Sequence, residues 1–207
     1  METLALSFTS GWASGINSYL VVLVLGIADR IEHLDRIPDV LGSWPVLGIA
    51  AFMYAFEFVA DKIPYVDSLW DAVSTFIRPV VGAVLGVLIA GDSQGLDQSL
   101  NQVVGGLVGG GGALGAHVTK AGTRLAVNTS PEPFTNIGLS VGEDGVVLAV
   151  MAFALAHPVI AAAIALVLMV AGLVVLWLLM RAVRRGWRRL RAWWERRTGS
   201  SAPEPAG

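Results

Sequence analysis

The sequence contains no cysteine, little charge and none of the familiar short catalytic motifs. The absence of cysteine excludes a disulfide framework, thiol chemistry and any cysteine-ligated metal. There is no Gly-x-x-x-x-Gly-Lys phosphate loop, no His-Glu-x-x-His zinc pair and no Gly-x-Ser-x-Gly nucleophile elbow. Charged residues make up only 14% of the 207 residues, against 55% that are hydrophobic, and the mean hydropathy is +0.66. Such a composition excludes an ordinary soluble domain and makes lipid the relevant solvent.

Basic residues are missing from the first eight positions and concentrated near the other end. The segment from Met1 to Phe8 carries Glu2 and no basic residue, so we expect no cleavable signal peptide and retention of the first apolar segment. Eight of the fourteen basic residues lie between Arg181 and Arg197. Since basic residues that flank spans stay in the cytoplasm, we predict a protein of the inner (plasma) membrane with a cytoplasmic C-terminus.

Several apolar segments approach the roughly 20 residues that a helix needs to cross a bilayer. We therefore predict an all-α, polytopic transmembrane bundle of about six spans. The apolar run from Gly145 to Met180 is 36 residues, too long for one span, and His157-Pro158 is the natural break because proline disfavours helix in its predecessor. An even number of spans also places the N-terminus in the cytoplasm and leaves an external acidic loop from Asp29 to Asp39. The predicted helices cover residues 5–27, 43–61, 67–91, 101–126, 138–156 and 158–181.

The chain divides into a transmembrane domain, residues 1–182, and a cytoplasmic tail, residues 183–207. Between Arg184 and Trp194 the tail mixes arginine with tryptophan, as an interfacial helix that binds anionic lipid headgroups does. Continuity with a membrane span argues against nucleic-acid binding. The last segment, Thr198 to Gly207, has the composition of a disordered chain.

One motif occurs twice. Residues 11–17 and 111–117 both read Gly-x-Ala-x-Gly-x-polar, ending at Asn17 and His117. If each half of the protein is three helices, the halves have opposite orientations, which is the inverted-repeat plan of many transporters. Chance recurrence of small residues in membrane helices is the alternative, and the sequence leaves both open.

The second and third predicted helices carry charges inside apolar segments. Glu57 and Asp61, four residues apart, share one helix face, and Glu57 lies about a turn inside the membrane. Burying a carboxylate there costs several kcal/mol unless it is protonated, paired or bound to a cation. Asp61 is expected at the interface. In the third helix Asp67 is placed as an N-cap, and Asp71 and Arg78 lie about 10 Å apart along the axis, so we expect their partners on other helices.

The fourth helix presents His117, Lys120 and Arg124 on one face, which we expect to face away from lipid. These groups complement the carboxylates of the second and third helices and the Glu143-Asp144 pair at the start of the fifth. Either a ligand site or a structural charge network explains the pattern. No cofactor is expected, and metal binding is left open. The candidate ion or substrate residues are Asn17, Glu57, Asp61, Asp71, His117, Lys120, Arg124, Glu143 and Asp144.

Four motifs, Gly15 to Tyr19, Glu57 to Pro64, His117 to Arg124 and Ser140 to Asp144, occur in an order that resembles a family of bacterial membrane proteins catalogued as domain of unknown function 4126. The resemblance covers most of residues 5–180 and implies a multispan membrane protein without an assigned activity. Residues 57–62 also resemble the Glu-x-Gly-Asp-Lys signature of small cation/proton exchangers, with a spacing one residue longer and Ala60 in place of glycine.

Three functions are compatible with these patterns. The leading hypothesis is a small secondary transporter or channel for a small ion or solute, and the second is a non-transporting scaffold or assembly partner. An intramembrane enzyme is the third, and we expect the protein not to be one, because neither nucleophile nor cofactor site is recognisable. The expected partners are the lipid bilayer, the transported ion or solute, and a further copy of the chain in a homo-oligomer.

Overall fold

The computed structural model describes residues 1–63, 65–91, 98–127 and 133–198. Within these ranges there are six helices and no strand, which confirms the predicted all-α bundle. The predicted break at His157-Pro158 lies between the last two helices. Of the segment expected to be disordered, Thr198 to Gly207, Thr198 is the last residue of the last helix, and residues 199–207 lie outside the described residues. The helices are α1 Glu2–Glu32, α2 Trp44–Ala60, α3 Val66–Gly91, α4 Gln98–Val127, α5 Pro133–Ala156 and α6 Pro158–Thr198.

Four of these helices, α1, α3, α5 and α6, contain described segments that are long and apolar enough to cross a membrane. The chain is therefore a membrane protein with transmembrane helices. The remaining two differ for separate reasons. Helix α2 is apolar but only 17 residues long. Helix α4 has 30 residues and carries its cations on a buried face, whereas Leu107, Leu114 and Val118 on its other face are exposed.

Five of the six helices are longer than predicted, and the difference is largest in α1 and α6. Helix α1 extends to Glu32, so part of the expected first loop is its last turn. There Arg30 donates a hydrogen bond to the carbonyl of Gly42 at 3.0 Å and stacks 4.2 Å from the Trp44 ring, contacts that the charge pattern did not reveal. Helix α6 continues 17 residues beyond its predicted end at 181, so the predicted domain boundary at 182/183 falls inside a continuous helix.

Small residues allow α1, α3 and α4 to pack in near contact. Gly11 of α1 and Gly82 of α3 both face Gly109 of α4, so closely that a Cβ on any of the three would overlap backbone atoms. One turn further along α3, Gly86 faces Gly105 in the same way. Membrane helices associate through such contacts because lipid supplies no hydrophobic drive between them. The glycines thus place the polar residues of three helices within reach of each other.

The bundle has a polar centre and an apolar exterior. Helix α1 lies at the centre, where Ser7, Ser10 and Ser14 are fully buried. Thr9 and Ser18 satisfy their hydroxyls on carbonyls one turn back, each at 2.8 Å. The apolar side chains of α6 are instead largely exposed, as expected for a helix that faces lipid.

Candidate functional site: a buried ion cluster

Helix α1 is broken at Asn17, whose backbone is extended at φ −149° and ψ 97°. Its side-chain oxygen accepts the backbone N–H of Leu20 at 3.0 Å and so caps the second half of the helix. In an unbroken helix that N–H would bond to the carbonyl of Ile16. The break therefore releases the Ile16 carbonyl, and also that of Gly15, toward the interior of the bundle.

Lys120 of α4 binds the released Ile16 carbonyl. Its ammonium donates to Ile16 O at 3.0 Å and to Asp61 Oδ2 at 2.8 Å. Glu143 Oε2 lies at 3.4 Å and Glu57 Oε1 at 3.6 Å from the same nitrogen. One buried cation thus connects α1, α4, α5 and both carboxylates at the end of α2.

Arg78 of α3 binds the same Glu57 oxygen that Lys120 approaches. Its Nη2 donates to Glu57 Oε1 at 2.6 Å, and its Nη1 lies 3.1 Å from Asp71 Oδ1. Nη1 also approaches the released Gly15 carbonyl at 3.5 Å. We expected the partners of Asp71 and Arg78 to lie on other helices. This was wrong in one respect, because the two residues pair with each other within α3. A helical side chain leans toward the N-terminus of its helix, and the long Arg78 side chain therefore reaches back two turns to Asp71.

His117 of α4 is held in one neutral form by its neighbours. The Thr75 hydroxyl donates to the Asp71 carbonyl at 2.9 Å, so it can only accept from His117 Nε2, also at 2.9 Å. The lone pair of Nδ1 accepts from Arg78 Nη1 at 2.9 Å. The hydrogen-bond network therefore assigns the proton to Nε2 and leaves the imidazole uncharged.

Arg124 of α4 closes the cluster at the end of α2. It donates to the Asp61 carbonyl at 2.8 Å and to Glu143 Oε2 at 2.7 Å. Asp61 Oδ2 lies at 3.2 Å and Asp67 Oδ2 at 3.7 Å. Asp61, expected at the membrane interface, is only 2% exposed, because both Lys120 and Arg124 enclose it. Asp67 lies within the first turn of α3 rather than at its N-cap.

Asp144 of α5 is bound by neutral donors. The Asn17 amide donates to it at 2.9 Å and the Tyr54 hydroxyl at 3.2 Å. Lys62, in the linker after α2, donates to the Phe58 carbonyl at 2.9 Å. Burial lowers the pKa of the Lys62 ammonium below its usual value, and the nearby Asp144 carboxylate partly opposes that shift. Asp144 and Glu143 lie well inside α5, which begins earlier than predicted.

The charges in the cluster do not balance. Among the described residues three cations, those of Arg78, Lys120 and Arg124, lie within ion-pair distance of five carboxylates. Two negative charges are left in excess. Glu57 Oε2 and Asp71 Oδ2 are also buried without a hydrogen-bond partner. The unbonded oxygen of each carboxylate can therefore take a proton or a further cation.

A cavity of about 160 Å³ lies against the cluster, between α1, α4, α5 and α6. Trp12, Leu168 and Met169 form its apolar wall, and Lys120 and Glu143 form its charged end. Its volume is enough for several water molecules or a small solute. In the described part of the chain, no three His, Asp or Glu side chains are grouped closely enough to hold a metal ion.

The nine predicted site residues lie in one connected region of the bundle. The list nevertheless omitted Arg78, which binds Glu57 and His117, and the neutral partners Tyr54 and Thr75. The signal available for Arg78 was its position in an apolar helix that also carries Asp71 and Pro79, because an arginine in a span faces the bundle interior. Tyr54 and Thr75 give no such signal, since uncharged hydroxyls are common in membrane helices.

Comparison with known protein families identifies a relationship. A family model described as "Domain of unknown function (DUF4126)" matches residues 4–178, which include every helix that contributes to the cluster. No curated protein and no solved structure matches the chain. The resemblance found in the sequence motifs is thereby confirmed.

Proposed function

We propose that this chain, which belongs to the family described as Domain of unknown function (DUF4126), is a secondary transporter or channel that moves a small ion or solute through its buried ion cluster. The excess of negative charge carries this proposal. An excess of carboxylates over cations in a membrane interior is costly, and a transported proton or cation would offset that cost. Stability alone rarely favours so many buried ions.

Three further features support a transport site. The break at Asn17 exposes backbone carbonyls near the cluster, and discontinuous helices of this kind form substrate sites in transporters. The cavity beside Lys120 and Glu143 offers space for a solute to reach them. The contact between Gly15 of α1 and Ala113 of α4 also brings the two repeated motifs together, as two inverted three-helix repeats would.

We further propose the inner (plasma) membrane as the location, with both termini in the cytoplasm. The arginines from Arg181 to Arg196 in α6 are exposed, as are Trp187 and Trp194 among them. A basic, aromatic helix surface fits anionic lipid headgroups and would hold this end of the chain on the cytoplasmic side.

A scaffold is the second candidate, and one observation favours it. The hydrogen bonds of Lys120 and Arg124 join α4 to α1, to the end of α2 and to α5. Such a network would fix the positions of the helices even if nothing moved through it. In that case neutralising Glu57 changes stability and leaves no flux to lose.

Ion flux into proteoliposomes separates the two functions. Purified protein is reconstituted with pH-sensitive or cation-sensitive dyes, and the wild type is compared with Glu57→Gln. We expect wild-type flux that falls to the level of empty liposomes in Glu57→Gln, because the variant keeps the side-chain shape but loses the charge.

The matched control is Glu32→Gln, which makes the same change at the exposed end of α1 and should keep full flux. Thermal unfolding must show that Glu57→Gln is folded. Normal flux by a folded Glu57→Gln protein would refute the assignment of the site.

A further inference from the structure

We propose that the oxygen atoms around Lys120 form a binding site for ammonium and small primary alkylammonium ions, which enter in exchange for the lysine head group. This inference rests on the proposed function and names the substrate class of the same site. A lysine head group is itself a primary alkylammonium with three N–H donors. The surroundings of Lys120 therefore show what the site accepts.

Four oxygen atoms surround that nitrogen. Asp61 Oδ2 at 2.8 Å and Ile16 O at 3.0 Å are at hydrogen-bond distance. Glu143 Oε2 at 3.4 Å and Glu57 Oε1 at 3.6 Å complete the group. We call these four atoms the oxygen cage. One of them, Ile16 O, is a carbonyl released by the helix break, so its position does not depend on the lysine side chain.

Two carboxylates of the oxygen cage each have a second oxygen atom that Lys120 leaves unused. Glu57 Oε2 and Asp61 Oδ1 are buried and have no hydrogen-bond partner, and the two residues are 1% and 2% exposed. A free ammonium ion carries four N–H groups instead of three, so it can engage an acceptor that the lysine cannot. The excess of negative charge in the cluster also tolerates one added cation.

The cavity supplies both the route and the room for exchange. Lys120 lines it together with Thr119, Thr123 and Glu143. The flexible lysine stem can turn its head group into this space, where the threonine hydroxyls and Glu143 are available as acceptors. An incoming cation then takes the vacated position between Asp61 and Ile16. Both cations remain in contact with Glu143 at the boundary between cage and cavity.

The geometry favours N–H donors over a bare metal ion. The two shortest contacts, 2.8 and 3.0 Å, are typical N–H···O distances. No three acidic or histidine side chains in the described ranges have a metal-binding arrangement. A quaternary ammonium ion has the same charge but no N–H group, and it therefore serves as the matched negative probe.

The first test uses Lys120→Ala, which empties the cage while keeping its walls. Thermal unfolding in detergent is followed by tryptophan fluorescence, since Trp12 lines the cavity. Ammonium chloride and methylammonium chloride are compared with tetramethylammonium chloride at equal ionic strength. We expect the first two to raise Tm saturably, by about 3–6 °C at roughly ten times Kd, and the third to have no such effect. Equal responses to all three salts, or none, would overturn the inference.

If Lys120→Ala does not fold, ammonium binding is tested on the wild-type protein instead. The sequence holds only two lysines, Lys62 and Lys120, so a protein labelled with ¹⁵Nζ-lysine gives two head-group signals, which the variant Lys62→Arg assigns. Ammonium chloride should shift the Lys120 signal saturably, whereas the Lys62 signal and the tetramethylammonium control stay unchanged. Lys120 and Lys62 signals that move together, or that both stay fixed, would overturn the inference.

Failure of this inference is distinguishable from failure of the transporter assignment. Both tests measure binding in detergent, without a gradient. Ammonium-specific binding without flux would leave the cage intact and refute transport. Flux of another ion without ammonium-specific binding would refute the cage and leave the transporter.

Discussion

Replacing Asn17 tests whether one side chain holds both the helix break and the cluster. Asn17→Ala removes the cap on Leu20 N–H, which costs about 1 kcal/mol. It also removes the bond of 2.9 Å to Asp144, and interhelical hydrogen bonds in membranes contribute about 0.6 kcal/mol, up to about 1.7. The free energy of unfolding should therefore fall by about 2 kcal/mol. Asn17→Ser keeps a capping hydroxyl but cannot reach Asp144, so it should cost about half as much.

Denaturant titration in mixed micelles, followed by tryptophan fluorescence, measures both variants against the wild type. A double-mutant cycle of Asn17→Ala with Asp144→Ala isolates the interhelical part of the loss. The same cycle with Asn17→Ser should give a similar coupling energy, because that variant also lacks the bond to Asp144. Equal destabilisation by alanine and serine would show that the cap contributes nothing. A loss below about 0.5 kcal/mol for Asn17→Ala would refute both parts of the reasoning, since it is smaller than either expected contribution.

Two further variants test the packing and the charges. Gly109→Ala should destabilise by about 1–3 kcal/mol, because its Cβ would overlap the backbone of α3 at Gly82. Gly111→Ala, with nothing within 4 Å of its Cβ, should be neutral or slightly stabilising, and equal losses on thermal unfolding would contradict the close contact. Arg78→Leu should cost about 3–5 kcal/mol, because it leaves buried Asp71 without its cation and Glu57 with only Lys120 at 3.6 Å. The exposed Arg36→Leu is the control, and a folded Arg78→Leu protein of wild-type stability would contradict the pairing.

Most of the secondary structure and the membrane setting followed from the sequence. Six apolar segments and the proline after His157 predicted six helices in order, because the bilayer sets how long an apolar helix must be. The list of site residues followed from the same physics. A charge inside an apolar segment is costly wherever it lies in the fold, so Glu57 and Lys120 could be selected without knowing their neighbours.

Tertiary structure alone decided which charged side chains pair with each other, and how many carboxylates and how many cations the cluster contains. The close approach at Gly109 brings α1, α3 and α4 together, and only that approach puts Lys120 against a carbonyl of α1. The break at Asn17 was equally hidden, because asparagine inside an apolar helix commonly bonds to a neighbouring helix without breaking its own. Burial cost is a property of each residue, which sequence determines, whereas pairing and charge balance are properties of distances between helices, which only their packing decides.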